Sequence, residues 1–182
     1  MAYEAKYETR TIQQNEFIKP DLIVSTRYTH ALAQEVSRRT GIELDPLVSN
    51  MKKADKYDFS CGESCPEIAA PVEGKNVAVL SSYLTGKMNT AATDTYQLTS
   101  AAVDNGVQNV IDMILNPYGA RQDKLYPGQQ EPLTIKHEIA RLAASGARIL
   151  STIDPHSRAF FDYTSKELNT FLPRGGILMH TV

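Results

Sequence analysis

The stretch that decides the fold is Val77-Ala78-Val79-Leu80-Ser81-Ser82, then a helical segment from Asn89 to Asn105 closed by Gly106, then Val110-Ile111-Asp112-Met113-Ile114-Leu115. The first run is apolar without alternation, the pattern of a strand buried on both faces of a parallel sheet. Between the two runs, Ala91, Ala92, Leu98, Ala102 and Val103 can share one helical face. The three pieces read as a strand, a crossover helix and a second strand, with Asp112 the odd polar member of the second.

The same alternation continues outward. Upstream, Asp21 to Ser25 is a β-rich run, Thr29 is a plausible N-cap, and Ala31, Leu32, Val36 and Ile42 describe an amphipathic helix closed by Gly41. Leu44 to Val48 is expected to form a second strand, and residues 49–60 to loop outward. Residues 61–73 contain Gly62, Pro66 and Pro71 and are expected to hold no regular structure. Downstream, Pro132 precedes a helix over Leu133 to Ala144, with Ile135, Ile139, Leu142 and Ala143 facing inward and Gly146 capping it. Ala147 to Ile153 is a further strand, a helix is expected near Ser165 to Phe171, and Ile177-Leu178-Met179 is a last apolar run. The pattern predicts an α/β fold of three layers, a mostly parallel sheet flanked by helices. Residues 1–19 read as an arm or edge hairpin and 20–182 as a single domain.

At 182 residues the chain is long enough to bury a core without staples. Lys and Arg number 19 against 21 Asp and Glu, a net charge of −2 with no basic tail. That argues against a dedicated nucleic-acid binder while leaving room for a local basic pocket. There is neither an apolar run of the ~18 residues a membrane span needs nor a signal-peptide core, so no membrane partner and a cytoplasmic location are expected. Cys61 and Cys65 are four apart with no zinc-like second pair, and read as reduced loop thiols.

The polar clusters follow the strands. Loops leaving the carboxyl ends of neighbouring parallel strands face one crevice. Asn-Pro-Tyr-Gly-Ala-Arg-Gln-Asp-Lys at 116–124, Glu-Pro-Leu-Thr-Ile-Lys at 131–136 and Ile-Asp-Pro-His-Ser at 153–157 all occupy such positions. Arg121 offers a planar fork for phosphate, Gln122 an amide, and Lys124 a compact second charge. The competing reading is a solvated loop with an Arg–Asp surface pair. His156 could contact a phosphate, hold a metal-bound water or ligate Mg²⁺ weakly, or be a structural loop histidine. No Gly-x-x-x-x-Gly-Lys-Ser/Thr, Gly-x-Gly-x-x-Gly or Gly-x-Ser-x-Gly motif is present, and no two acidic residues are adjacent.

These clusters resemble, in order, three motifs of the ribose-phosphate diphosphokinase family. Residues 117–124 are similar to its Tyr-Ala-Arg-Gln-Asp-Arg-Lys loop. Residues 131–136 are similar to its Arg-Glu-Pro-Ile-Ser-Ala-Lys segment. Ile153 to Asp162 is similar to its Asp-Leu-His-Ala to Phe-Phe-Asp signature. Weaker likeness runs through residues 30–36 and Phe59-Ser60-Cys61-Gly62-Glu63, which resembles a Phe-Ser-Asp-Gly-Glu loop. The resemblance covers about residues 20–165 and is to the N-terminal domain of that family.

It implies a phosphoribosyltransferase-like fold, Mg²⁺-dependent transfer of diphosphate from ATP to ribose 5-phosphate, and assembly into homo-oligomers. It further implies that Arg121, Gln122, Asp123 and Lys124 contact ATP and that His156 sits beside the metal and the transferred group. Phe59 and Glu63 would serve the adenine of another subunit. Cys61 stands where the family has aspartate, Pro155 where it has leucine and Gln130 where it has arginine. Because the sequence ends at Val182, before the second similar domain of that family, the chain alone is expected to have little or no activity. Three readings follow: the ATP-binding half of a diphosphokinase, a catalytically silent nucleotide-binding or synthetase-associated homologue, or a scaffold domain with little ligand affinity.

Overall fold

A computed structural model of the chain describes residues 18–46, 48–49, 58–83 and 86–171. The main sheet has five strands, all parallel: β1 (Leu22–Ser25), β2 (Glu43–Leu44), β5 (Asn76–Ser81), β6 (Asn109–Ile114) and β7 (Ile149–Thr152), in the order β2-β1-β5-β6-β7. Two further strands, β3 (Val48–Ser49) and β4 (Pro66–Glu67), pair antiparallel in a separate two-stranded sheet. Helix α1 (His30–Thr40) connects β1 to β2, α2 (Met88–Asp104) connects β5 to β6, and α3 (Thr134–Ala144) connects β6 to β7. Helix α4 (Ala159–Phe171) follows β7.

Alternation along the strands assigns the layers. In β1 and β5, Leu22, Val24, Val77 and Val79 pack with Leu98 and Ala102 of α2, whereas Ile23 and Leu80 pack with Ala33 of α1 on the opposite face. Ile114 and Leu150 join Ile135, Ile139 and Leu142 of α3 and Phe160 of α4 in the largest cluster. Leu98 and Ile139 are fully covered, each worth about 1.5–3 kcal/mol of transfer free energy. The expected α/β architecture is thus present, with α1 on one face of the sheet and α2 and α3 on the other.

The predicted helix ends hold as well. Gly41 is left-handed at φ 71°. Helices α2 and α3 close alike: Val107 N–H donates to Ala102 O and Gly106 N–H to Val103 O, and Ala147 N–H donates to Leu142 O and Gly146 N–H to Ala143 O.

Other expectations are corrected. The strand expected over Leu44 to Val48 is cut at Asp45-Pro46: Asp45 turns inward to accept from the Ala70 N–H at 2.7 Å, and Pro46 has no N–H to continue a ladder. Residues 61–73 contain a short strand, because Pro66 sits where an edge position tolerates the missing donor. Thr29 occupies the N-cap position of α1, but its hydroxyl donates to Leu80 O at 2.7 Å instead of capping the helix. Leu32 and Val103, assigned to buried faces, are about two-fifths exposed. Helix α4 begins at Ala159 rather than near Ser165, where the Ser157 hydroxyl accepts from the Ala159 N–H. Residues 1–17, most of the proposed arm, and the Ile177-Leu178-Met179 run lie outside the described residues.

Two carboxylates are buried between the sheet and its α2–α3 layer. Asp112 of β6 accepts from the Thr99 hydroxyl at 2.9 Å through one oxygen, and its other oxygen has no partner. Glu138 of α3 accepts from the Tyr96 hydroxyl, and its second oxygen is likewise unpaired. Burial pushes Asp112 up to about 8 and Glu138 up to about 7. Groups whose folded pKa lies above the unfolded value of about 4 hold protons more tightly when folded. Their contribution is therefore full in acid and is lost as pH rises through the 4–8 window. Denaturant titrations should show stability falling from pH 5 to pH 8. Asp112→Asn, which keeps the acceptor for Thr99, should flatten that slope and stabilise the protein at pH 8 by roughly 1–3 kcal/mol; a flat wild-type profile would refute the assignment.

Candidate functional site

In an open parallel sheet ligands bind beyond the carboxyl ends of the strands, above all where the strand order reverses. Here that reversal lies between β1 and β5, and the loops after β6 and β7 open at the same edge.

After β6 the chain turns at Pro117 and Gly119. Gln122 N–H donates to Gly119 O at 2.8 Å, and Ile135 N–H in the first turn of α3 donates to Gln122 O at 3.4 Å. Gly119 has φ 71°, and a Cβ there would lie 2.5 Å from Thr134 Cγ2 and 3.0 Å from the Ile135 nitrogen. Only glycine allows so close an approach. The loop is therefore seated on the α3 N-terminus, where orphan N–H groups and the helix dipole favour an anion. Tyr118 fixes its other flank, donating to Asn89 Oδ1 at 2.9 Å and meeting Tyr83 edge to face. Arg121, Gln122 and Lys124 project into solvent, and Asp123 is half-buried.

After β7, Asp154 organises the second loop. Its N–H donates to Leu115 O at 3.1 Å, and its Oδ1 accepts from the His156 N–H at 3.1 Å. This local turn holds His156 at φ 63°, the one non-glycine left-handed residue among those described, with its side chain exposed. Asn116 Nδ2 approaches Asp154 Oδ2 at 3.4 Å, so the loops carrying Arg121 and His156 meet at their roots. No group of three or more His, Cys, Asp or Glu among the described residues could hold a metal ion. On one turn Asp154 offers carboxylate oxygens, the donors a hard cation prefers, and His156 a ring nitrogen that such a cation binds only weakly.

Phe59 and Glu63 lie in a different loop. Asp58 and Ser64 form an antiparallel bridge, Phe59 N–H donates to Glu63 O at 2.7 Å, and residues 59–63 are exposed. No hydrogen bond or ion pair among the described residues links Phe59 or Glu63 to Arg121 or His156. Cys61 and Cys65 form no disulfide.

Sequence reading missed what holds this loop. Arg27, just past β1, donates to both oxygens of Asp58 at 2.7 and 2.5 Å, to Asp94 of α2 at 2.9 and 3.1 Å, and to the Ser64 hydroxyl at 2.9 Å. Its place after the first strand was the available signal, but the partners lie 31 to 67 residues away. The Arg27 guanidinium holds the Asp58 carboxyl below its usual range. A cavity of about 440 Å³ is lined by Pro66, Ile68, Val72, Glu73 and Asn105 and by none of Phe59, Glu63, Arg121, Gln122 or His156.

Among solved structures, phosphoribosylpyrophosphate synthetase from Mycobacterium smegmatis matches with a TM-score of 0.69 at 19% identity, over 88% of this chain and 48% of that one. The chain thus spans about half the length of that synthetase and shares its fold. Adenine phosphoribosyltransferase from Thermoanaerobacter pseudethanolicus and purine phosphoribosyltransferase from Pyrococcus horikoshii overlap only in part, with TM-scores of 0.34 and 0.32 at 21% and 20% identity. They cover 55% and 54% of this chain and 61% and 62% of their own. No curated protein matches the chain in sequence. The model of one family, the N-terminal domain of ribose phosphate pyrophosphokinase, matches residues 22–146, and the chain belongs to that family.

Proposed function

We propose that this chain supplies the ATP-binding half of a ribose-phosphate diphosphokinase, the enzyme that moves the β,γ-diphosphoryl group of ATP to O1 of ribose 5-phosphate. The observation that carries the reading is the seating of the Arg121–Gln122 loop on the first turn of α3, beside the loop of His156. Arg121 would grip phosphate oxygens through two parallel N–H donors, Lys124 would add a point charge, and Gln122 would orient the chain. Asp123, half-buried, would order the loop between them.

Asp154 and His156 would hold the Mg²⁺ that accompanies the nucleotide; when bound, that ion neutralises charge on the phosphates. His156, exposed on the neighbouring loop, would donate to the transferred group. Diphosphoryl transfer depends on positioning and on cations from several sides, so the acceptor half of the site would come from a second domain. Phe59 and Glu63 would serve the base of a nucleotide in another subunit, which makes a homo-oligomer part of the reading. No described helix is long and apolar enough to cross a membrane, and phosphorylated substrates that do not cross membranes put the reaction in the cytoplasm.

Four measurements test this. Millimolar ATP with Mg²⁺ should raise the melting temperature, as a ligand specific for the folded state must; no shift with intact folding would sink the proposal. Arg121→Ala should weaken ATP binding about tenfold or more with an unchanged melting temperature, since its side chain is exposed; a large loss of stability would make Arg121 structural. Gly119→Val should displace the loop from Thr134 and weaken ATP as much as Arg121→Ala. A turnover assay with ATP and ribose 5-phosphate, on the chain alone and with a synthetase C-terminal domain added, separates a catalytic half from a silent binding module.

A further inference from the structure

The 58–64 loop is rooted at two residues. Residues 59–63 are exposed, and their own bonds, Phe59 N–H to Glu63 O and Gly62 N–H to Phe59 O, shape the tip without attaching it to the domain. The roots, Asp58 and Ser64, both reach the Arg27 guanidinium, and the Ser64 hydroxyl donates to Asp94 at 2.6 Å. Asp94 is fully buried in α2, so the guanidinium joins a solvent-facing loop to the core through a planar fork. Arg27 stands at the strand-order reversal, where a cation would ordinarily greet a phosphate, yet its donors are committed to two carboxylates.

We propose that Arg27 is a positioning residue of the nucleotide site: it pins the roots of the 58–64 loop so that Phe59 and Glu63 are presented to a purine base. The inference rests on the nucleotide reading above and deepens it. The aromatic face of Phe59 can stack on a base, and the Glu63 carboxylate can accept from an exocyclic amine, provided both are held out together. A lysine at 27 carries the charge but cannot span three acceptors in one plane.

Calorimetry on the full chain with Mg²⁺, comparing ATP with tripolyphosphate as a base-free probe, tests the proposal. Asp58→Asn is the first variant, because Asp58 is 39% exposed and its change leaves the buried Arg27–Asp94 pair intact. Asp58→Asn, Arg27→Lys and Phe59→Ala should each weaken ATP about tenfold and leave tripolyphosphate within about twofold. Asp58→Asn combined with Phe59→Ala should bind no worse than Phe59→Ala alone, since both act on one contact. Hydrogen exchange at the Phe59 and Gly62 amides should quicken in Asp58→Asn. Parallel losses of both ligands, or additive losses in the double variant, would overturn the proposal. If wild type binds neither ligand, the nucleotide reading fails and takes this inference with it; if wild type binds ATP and Phe59→Ala changes nothing, only the inference falls.

Discussion

Strand β5 is paired in parallel along both edges, Val77 to Leu80 against β1 and Asn76 to Ser81 against β6, while its side chains are buried on both faces. A strand so enclosed cannot slip by one residue without exchanging Val77 and Val79 with Ala78 and Leu80 between two different cores. That constraint sets the level at which β1, β6 and β7 end. Their ends in turn put Arg27, the Arg121 loop and the His156 loop along one edge of the sheet. The site is a by-product of register.

The helices and strands of this framework were legible because each depends on its own few residues. The apolar run at 77–80, the inward stripe of Ile135, Ile139 and Leu142, and the glycines at 41, 106 and 146 act locally. Two of the errors fell where a distant group intervened. Asp45 leaves its strand because the Ala70 N–H is waiting, and Thr29 abandons its cap for the Leu80 carbonyl. The same logic divides the site. Arg121, Gln122 and His156 were visible as polar residues after apolar runs, whereas the Arg27–Asp58–Asp94–Ser64 cluster is assembled from three separated segments and has no local signature.

Asp112 was noticed as a polar residue in a strand, but its meaning needed the partner helices. It shares its layer with Glu138, Tyr96 and Thr99, and this polar seam lies between the sheet and the helix that seats the Arg121 loop. Two buried acids with one unpaired oxygen each cost stability that apolar residues would not.

The close approach of Gly119 to Thr134 has one more meaning. Because the backbone of the loop lies against α3 with no side chain between them, loop and helix move as one body. The Arg121 backbone is then ordered before any ligand arrives. Little chain entropy remains to be lost on binding, so affinity would reside in dissociation rates set by side-chain contacts rather than in a slow closing step.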